Sequence, residues 1–326
     1  MSKSRPVILH AFEIQASGQS RPLTEESLGG VISEGAYVWL HVDVNNPRTL
    51  GFLRKHYSQM DHGILKSLLA GETRPRLQES GSGSLIILRG VNHNDPDEPE
   101  DMVSVRVWAE EKLVISAQRR SLKSIRDIDD LALAGNGPPS PGAFLVFLVS
   151  RLLERMDPVI AELDERLDVV EEAVISDPEL HEHKELSSIR KEAILYRRYI
   201  TPQREAISQI CHSTQGWLGP EDKRHLHDKV DNIIRLIEDL DTSRERAQVI
   251  KDELTNALSH QMNRNLYLLS VIAAVFLPLG FLTGLFGINL AGMPGAENVN
   301  AFYIFSGLLA IVVAIQVWVF KRMKLF

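Results

Sequence analysis

The sequence predicts an α/β N-terminal domain, a run of long helices, and two C-terminal transmembrane helices. Three observations carry that fold class. Up to Gly135, short runs rich in β-branched and aromatic residues alternate with helical segments. From Phe144 onward, apolar residues recur at three- and four-residue intervals. Near the C-terminus stand two uncharged stretches, LYLLSVIAAVFLPLGFLTGLF from Leu266 to Phe286 and AFYIFSGLLAIVVAIQVWVF from Ala301 to Phe320. Each has about the 20 residues that an α-helix needs to cross a bilayer. A buried helical hairpin of a soluble protein is the alternative, and two uncharged runs of spanning length back to back argue against it.

Residues 1–140 form the α/β domain. Strands are expected at Val7–Phe12, Tyr37–Asp43, Leu85–Leu88, Val103–Val107 and Leu113–Ala117. Between them Pro47–Tyr57 opens with proline at a first helical turn, and Ser67–Ala70 and Ser121–Ala134 also read as helix. The SGSGS stretch from Ser80 to Ser84 is expected to be a flexible connection between strands. The acidic, proline-containing Asn92–Asp101 is expected to be a solvated hairpin loop, and AGNGPPSPG from Ala134 to Gly142 to be a linker.

Residues 141–265 read as helix. Leu148, Leu152, Met156, Val159, Leu163, Leu167, Val170 and Val174 mark one apolar stripe, and Pro158 is expected to kink it or shift its boundary. Ser176-Asp177-Pro178 reads as a break and restart, with Asp177 as N-cap and Pro178 at the first helical position. Leu186, Ile189, Ile194, Leu195, Ile207 and Ile210 continue the pattern past a bend expected at Pro202, and GWLGP at Gly216–Pro220 ends it. A further helix starts near Glu221-Asp222, acids suited to a helix N-terminus. No breaker follows between Lys223 and Val275, so a stalk helix is expected to run into the first span, residues 266–287. A loop at 288–300, a second span at 301–320 and a basic tail at 321–326 complete the chain.

Lys251 and Arg264 precede the first span and Lys321, Arg322 and Lys324 follow the second, whereas the loop between the spans has no Lys or Arg. The positive-inside rule then places both termini, and with them the α/β domain, in the cytoplasm. The N-terminal MSKSRPVILHAFEIQ lacks the apolar core and cleavage site of a signal peptide, so insertion is expected to depend on the C-terminal spans. A formal charge of -7 and a pI near 5.9 give no support to nucleic-acid binding. Cys211 is the one cysteine, which excludes an intrachain disulfide framework. There is no GxxxxGK[ST] and no GxGxxG, so a nucleotide-driven pump is unsupported. No Ser/His/Asp set or paired carboxylates stand out, and no enzyme is expected.

Read at heptad spacing, the stalk helix carries Asp252, Asn256, Ser259, Asn263, Leu266, Ser270, Ala273, Leu277, Gly280, Gly284 and Gly287 on one face. A soluble coiled coil wants apolar residues on such a seam. A seam of Asp, Asn and Ser fits better around a water-filled axis shared by several copies. A polar face turned to the cytosol is the alternative upstream, and close glycine packing the alternative within the bilayer. His181-x-His183, Cys211-His212 and His225-x-His227 are the soft-ligand groupings. Cys211, His212, His225 and His227 have the ligand count of a tetrahedral zinc site, though without a usual finger spacing, and exposed helix-end residues are the plainer reading. His181 and His183 are a second candidate, as a cation-collecting pair. Asp127, Asp129 and Asp130 are expected on a solvated helix face.

The first span ends Pro278-Leu279-Gly280-Phe281-Leu282-Thr283-Gly284-Leu285-Phe286-Gly287-Ile288-Asn289, with Met293-Pro294-Gly295 in the loop. This ending resembles that of the CorA superfamily of divalent-metal transporters, whose hallmark there is Gly-Met-Asn. The resemblance extends over the α/β domain, the helical middle and the basic tail. Ile288 replaces the usual methionine, and Glu297 is the loop's one carboxylate. Gly-Ile-Asn is similar to the ZntB-type zinc-transport branch. The resemblance implies a homopentameric funnel in the bacterial cytoplasmic (inner) membrane. It implies that first spans ring a pore, with Gly287, Ile288 and Asn289 at the ion entrance. Zinc or another divalent cation would be the transported substrate, with coupling to protons and no cofactor. A magnesium or cobalt channel, or a membrane-anchored sensor, are the alternatives.

Overall fold

A computed structural model of the protein describes residues 6–28, 30, 32–71, 73–176, 183–287 and 298–322, with only the backbone of His183. The chain divides into two compact units, Met1–Lys251 and Asp252–Phe326.

The first unit is built on a seven-stranded mixed sheet. Its strands are β1 (Ile8–Ile14), β2 (Ser20–Pro22), β3 (Tyr37–Asp43), β4 (Arg76–Ser80), β5 (Gly83–Gly90), β6 (Val103–Glu110) and β7 (Leu113–Gln118). Their order is β2-β1-β3-β7-β6-β5-β4, with β3 and β7 parallel and every other pair antiparallel. The five predicted strands are all present. The two that sequence reading missed are the edges. β2 is three residues ending in proline, and β4 reads RLQES with mostly exposed side chains, so neither carries the apolar run that marks an inner strand. Ser80–Ser84 is no loose connection: Gly81, at φ 60°, starts a two-residue hairpin turn between β4 and β5.

Both faces of the sheet are covered, which is why YVWLHVD in β3 is buried at every position. On one face α1 (Thr49–His56) and α2 (His62–Leu68) bring Phe52, Leu53, Ile64, Leu65 and Leu68 onto Leu40, Val42, Leu85, Ile87 and Ile115. On the other face lie α3 (Lys123–Leu133) and α4 (Pro141–Ser176), and Phe144 of α4 meets Trp39 with ring centroids 5.3 Å apart. The Ser116 hydroxyl accepts from Trp39 Nε1–H at 2.8 Å and lies 2.7 Å from His41 Nδ1. The supposed linker is packed down. The Pro138 carbonyl accepts from the Tyr37 hydroxyl at 2.8 Å, Gly137 N–H donates to the Gly18 carbonyl, and Pro141 and Gly142 are already helical.

Helix α4, α5 (His183–Cys211) and the first part of α6 (Pro220–Phe286) bury facing apolar stripes, including Leu163, Leu167, Ile189, Tyr196, Leu240 and Ala247. Pro158 and Pro202 lie inside continuous helices and end neither. The helices are also tied by ion pairs. Arg166 of α4 meets Glu185 and Glu192 of α5 at 2.7 and 2.8 Å, Arg197 of α5 meets Asp241 of α6 at 2.7 Å, and Arg246 of α6 meets Asp164 and Asp168 of α4. At the start of α6, Pro220 takes the first helical position and Asp222 accepts from Gly219 N–H at 3.0 Å, a reach-back that satisfies one free donor.

The acidic run in α3 corrects the expectation of a solvated face. Asp129 is buried, with an oxygen 2.8 Å from His10 Nδ1, and Asp127 receives Arg155 at 2.6 and 2.8 Å; Asp130 alone is exposed. Desolvation raises the Asp129 pKa against the opposing pull of His10.

The second unit holds the rest of α6 and α7 (Ala301–Arg322), which contain the two windows apolar enough to cross a membrane. Asp177, Pro178, His181, Ile288, Asn289, Met293, Glu297 and Lys324 lie outside the described residues, as does the side chain of His183.

Candidate functional site

The candidate site is one face of α6 in the second unit. Two faces of that helix differ in what covers them. Val271, Val275, Leu279 and Leu282 are half-buried, as are Ala301, Phe305, Leu309, Val312 and Gln316 of α7, each set at helical spacing. Direct contacts join the two helices: the Phe286 and Phe305 rings lie 5.0 Å apart, and Gln316 Nε2 donates to the Ala274 carbonyl at 3.3 Å. At about 100° per residue, this α7-facing stripe centres roughly 180° from Leu266, Ser270, Ala273, Leu277, Gly280 and Gly284. Of these six, only Ala273 is half-buried; the others are exposed, Leu277 to 70%. The sequence-predicted stripe is therefore the face that α7 leaves open.

Upstream, Asp252, Asn256, Ser259 and Asn263 are exposed as well. Their chemistry suits a hydrated cation, whose bound waters present O–H groups outward and so need acceptors. The Asp252 carboxylate and the Asn256 and Asn263 amide oxygens are such acceptors. Ser259 donates its hydroxyl proton to the Thr255 carbonyl and Ser270 donates to the Leu266 carbonyl, both at 2.8 Å. With the proton committed to the helix, each Oγ has its remaining lone-pair capacity directed away from that bond. Further along, Gly280 and Gly284 remove side chains from the same face, and Gly287 ends the described part of it.

Pro278 shapes the middle of this segment. Proline has no N–H, so it cannot bond the carbonyl four residues earlier, and its ring crowds that carbonyl. That carbonyl belongs to Ala274, and it is the one that Gln316 of α7 reaches. The side-chain amide replaces the missing helical donor in a region without water, where an unpaired carbonyl is costly. Sequence reading missed Gln316; a lone amide within an otherwise apolar span was the available signal.

The soft-ligand candidates do not converge. Among the described residues there is no group of three or more His, Cys, Asp or Glu placed to hold a metal ion. His212 Nδ1 donates to the Ser208 carbonyl at 2.8 Å, His225 sits 3.9 Å from Glu221 on its own helix, and His227 is exposed. Burial raises the Cys211 thiol above its ordinary pKa, which opposes the thiolate form that zinc takes. Cys211 with His212 ends α5 while His225 and His227 stand in α6, and spacing along the chain did not bring the two pairs into a shared site.

Comparison with known proteins agrees with the fold. Residues 34–322 match the family described as CorA-like Mg2+ transporter protein. The zinc transport protein ZntB of Pectobacterium carotovorum is 36% identical over 317 residues, covering 97% of this chain and 95% of that protein. The divalent cation transporter CmaX of Pseudomonas aeruginosa is 36% identical over 292 residues, 88% of this chain and 87% of that one. The structure of a full-length CmaX protein superimposes with a TM-score of 0.87 at 33% identity, covering 99% of this chain and all of the other. The complete CorA magnesium transporter from Methanocaldococcus jannaschii shares the fold, with a TM-score of 0.77 at 17% identity over 96% and 98% of the two chains. The chain is a membrane protein of the CorA-like Mg2+ transporter family.

Proposed function

We propose that this protein moves divalent cations, zinc among them, across the bacterial cytoplasmic membrane through a pore lined by α6. The observation that carries this reading is the open face of α6 opposite α7, polar acceptors upstream and small or apolar residues within the span. One helix cannot enclose a water-filled path, so the reading requires several copies around an axis. The family supports a homopentamer. Relatives named for zinc and for divalent cations support the substrate class.

Gly287, Ile288 and Asn289 form the ion entrance in this reading. Small divalent cations shed water reluctantly. A ring of Asn289 side-chain oxygens holds such an ion through its waters, weakly enough for release. Both termini face the cytoplasm and the 288–300 loop faces outward, as the Lys/Arg asymmetry supports. Selection of zinc acts on the hydrated ion, since the α6 face offers no His or Cys from Asp252 to Gly287 except His260, which lies off the stripe. A magnesium channel is the second reading, favoured by the family's description.

Uptake of zinc, nickel, cobalt and magnesium into liposomes holding the purified full chain tests the reading, with and without an imposed pH gradient. Saturable zinc entry, faster with the gradient, is expected. Magnesium entry without zinc entry would establish the second reading, and no entry of any cation would leave a membrane-anchored sensor.

A further inference from the structure

The strongest unassigned feature is a cavity in the first unit. It has a volume of about 620 Å3, within the range of small-molecule sites. Its wall comes from four places: the segment after α2, the β5–β6 end of the sheet, the segment after β7, and α5. Among the described residues Arg74, Arg89, Arg119, Arg120 and Arg198 line it, with Asp101 as the one carboxylate, an excess of four positive charges within that set. The whole chain carries a net charge of -7, so this concentration of cations opposes the general balance.

The arginines divide into two groups. Arg120 is matched, with Asp101 at 2.8 Å and Asp97 at 3.0 Å. Arg89 is built into the wall: it donates to the Thr73 carbonyl at 2.8 Å and the Met102 carbonyl at 2.6 Å, and its guanidinium stacks 4.0 Å over the Tyr199 ring. Arg74, Arg119 and Arg198 meet no carboxylate among the described residues, and all three are exposed at the cavity. Gly71 makes room for one of them; a Cβ there would stand 3.3 Å from Arg119 Nη1. Behind the cavity, Arg106 is fully buried, donates to the Ala70 and Gly71 carbonyls, and leaves its Nε and Nη1 without a partner. Burial, with Arg119 and Arg89 close by, pushes its pKa down to about 10. So many like charges around one concave space are repulsive unless an anion lies among them.

We infer that this cavity binds a small polyanion carrying two or more phosphate groups. Planar guanidinium forks pair bidentately with phosphate oxygens. Arginines arriving from several elements around one space suit a ligand with several anionic groups better than a single small anion. The inference is independent of the conduction reading, since none of these residues belongs to the α6 face.

The test is calorimetric titration of the full chain in detergent, with metal chelated, using pyrophosphate, orthophosphate and sulfate as probes. Saturable pyrophosphate binding is expected, at least tenfold tighter than orthophosphate or sulfate, and weakening as salt rises. The double variant Arg119→Gln/Arg198→Gln is expected to lose at least tenfold in pyrophosphate affinity with an unchanged thermal midpoint. Arg74→Gln provides an independent variant with a smaller loss in the same direction. No saturable pyrophosphate binding by the wild-type chain would overturn the inference, as would undiminished binding by these variants.

Discussion

Replacing Gln316 by leucine tests whether the two spans are held by more than apolar contact. In α6 the Ala274 carbonyl has no helical donor, because residue 278 is proline, and Gln316 Nε2 supplies one at 3.3 Å with the Val275 carbonyl at 3.5 Å. Interhelical hydrogen bonds in membranes contribute about 0.6 kcal/mol on average and up to about 2. The long distance argues for the lower part of that range, and the absence of water around an orphaned carbonyl raises the cost of losing it. Gln316→Leu should therefore destabilise the span pair by about 1 kcal/mol. Pro278→Ala restores an N–H to bond Ala274 within the helix, so the leucine substitution should cost much less in that background. Equilibrium unfolding of the full chain in bicelles, run as a double-mutant cycle, reads a coupling of about 1 kcal/mol. Additivity within about 0.3 kcal/mol would refute the pairing of Gln316 with the proline-freed carbonyl.

Three further outcomes follow from the same geometry. A unit charge about 10 Å from a divalent ion contributes roughly 0.8 kcal/mol in water, so even two Asp252 carboxylates of a ring raise local cation concentration by about tenfold or more at low salt. Asp252→Asn should lower zinc flux far more at low than at high ionic strength, whereas Asp239→Asn, exposed upstream on the same helix, should match wild type in both. Asn298→Cys in a Cys211→Ser background should react with an impermeant thiol reagent added outside intact cells; labelling from the cytoplasmic side alone would invert the topology. His41 is buried beside Ser116 and its pKa is pushed down to about 4, chiefly by burial, from an ordinary 6.5. Above about pH 6.5 it is neutral in both states. As pH falls from there toward 4 the unfolded chain takes up a proton that the fold resists, and stability drops by about 2 kcal/mol at pH 5. Thermal unfolding at pH 7 and pH 5 should show that loss in wild type and a flatter response in His41→Gln.

The spans, the inner strands and the course of α6 from Lys223 to Val275 were legible because each rests on a local signal: an uncharged run, β-branched content, or the lack of Gly and Pro. The α6 stripe was legible as a periodicity, but what it faces was not. Only the seating of α7 on Val271, Val275, Leu279 and Leu282 distinguishes the covered side from the open one. The same limit explains the failures. Asp129 reads as a solvated acid until His10 of β1 is folded against it, and β4 reads as loop because an edge strand needs no apolar run. Cys211-His212 and His225-x-His227 have the right ligand types, yet ligand types in sequence say nothing of whether two helix ends converge. The arginine cavity is the clearest case of long-range assembly, with its cations spread from Arg74 to Arg198 and no spacing rule to join them.

Thiol block of flux at two neighbouring positions on α6 tests the conduction face most directly. Leu277 lies on the open face and Leu279, two residues on, is half-buried on the α7 side. In a Cys211→Ser background, zinc flux through Leu277→Cys should be blocked by a small water-soluble thiol reagent, while flux through Leu279→Cys continues. Block at Leu279→Cys with none at Leu277→Cys would contradict the assignment of the pore to this face.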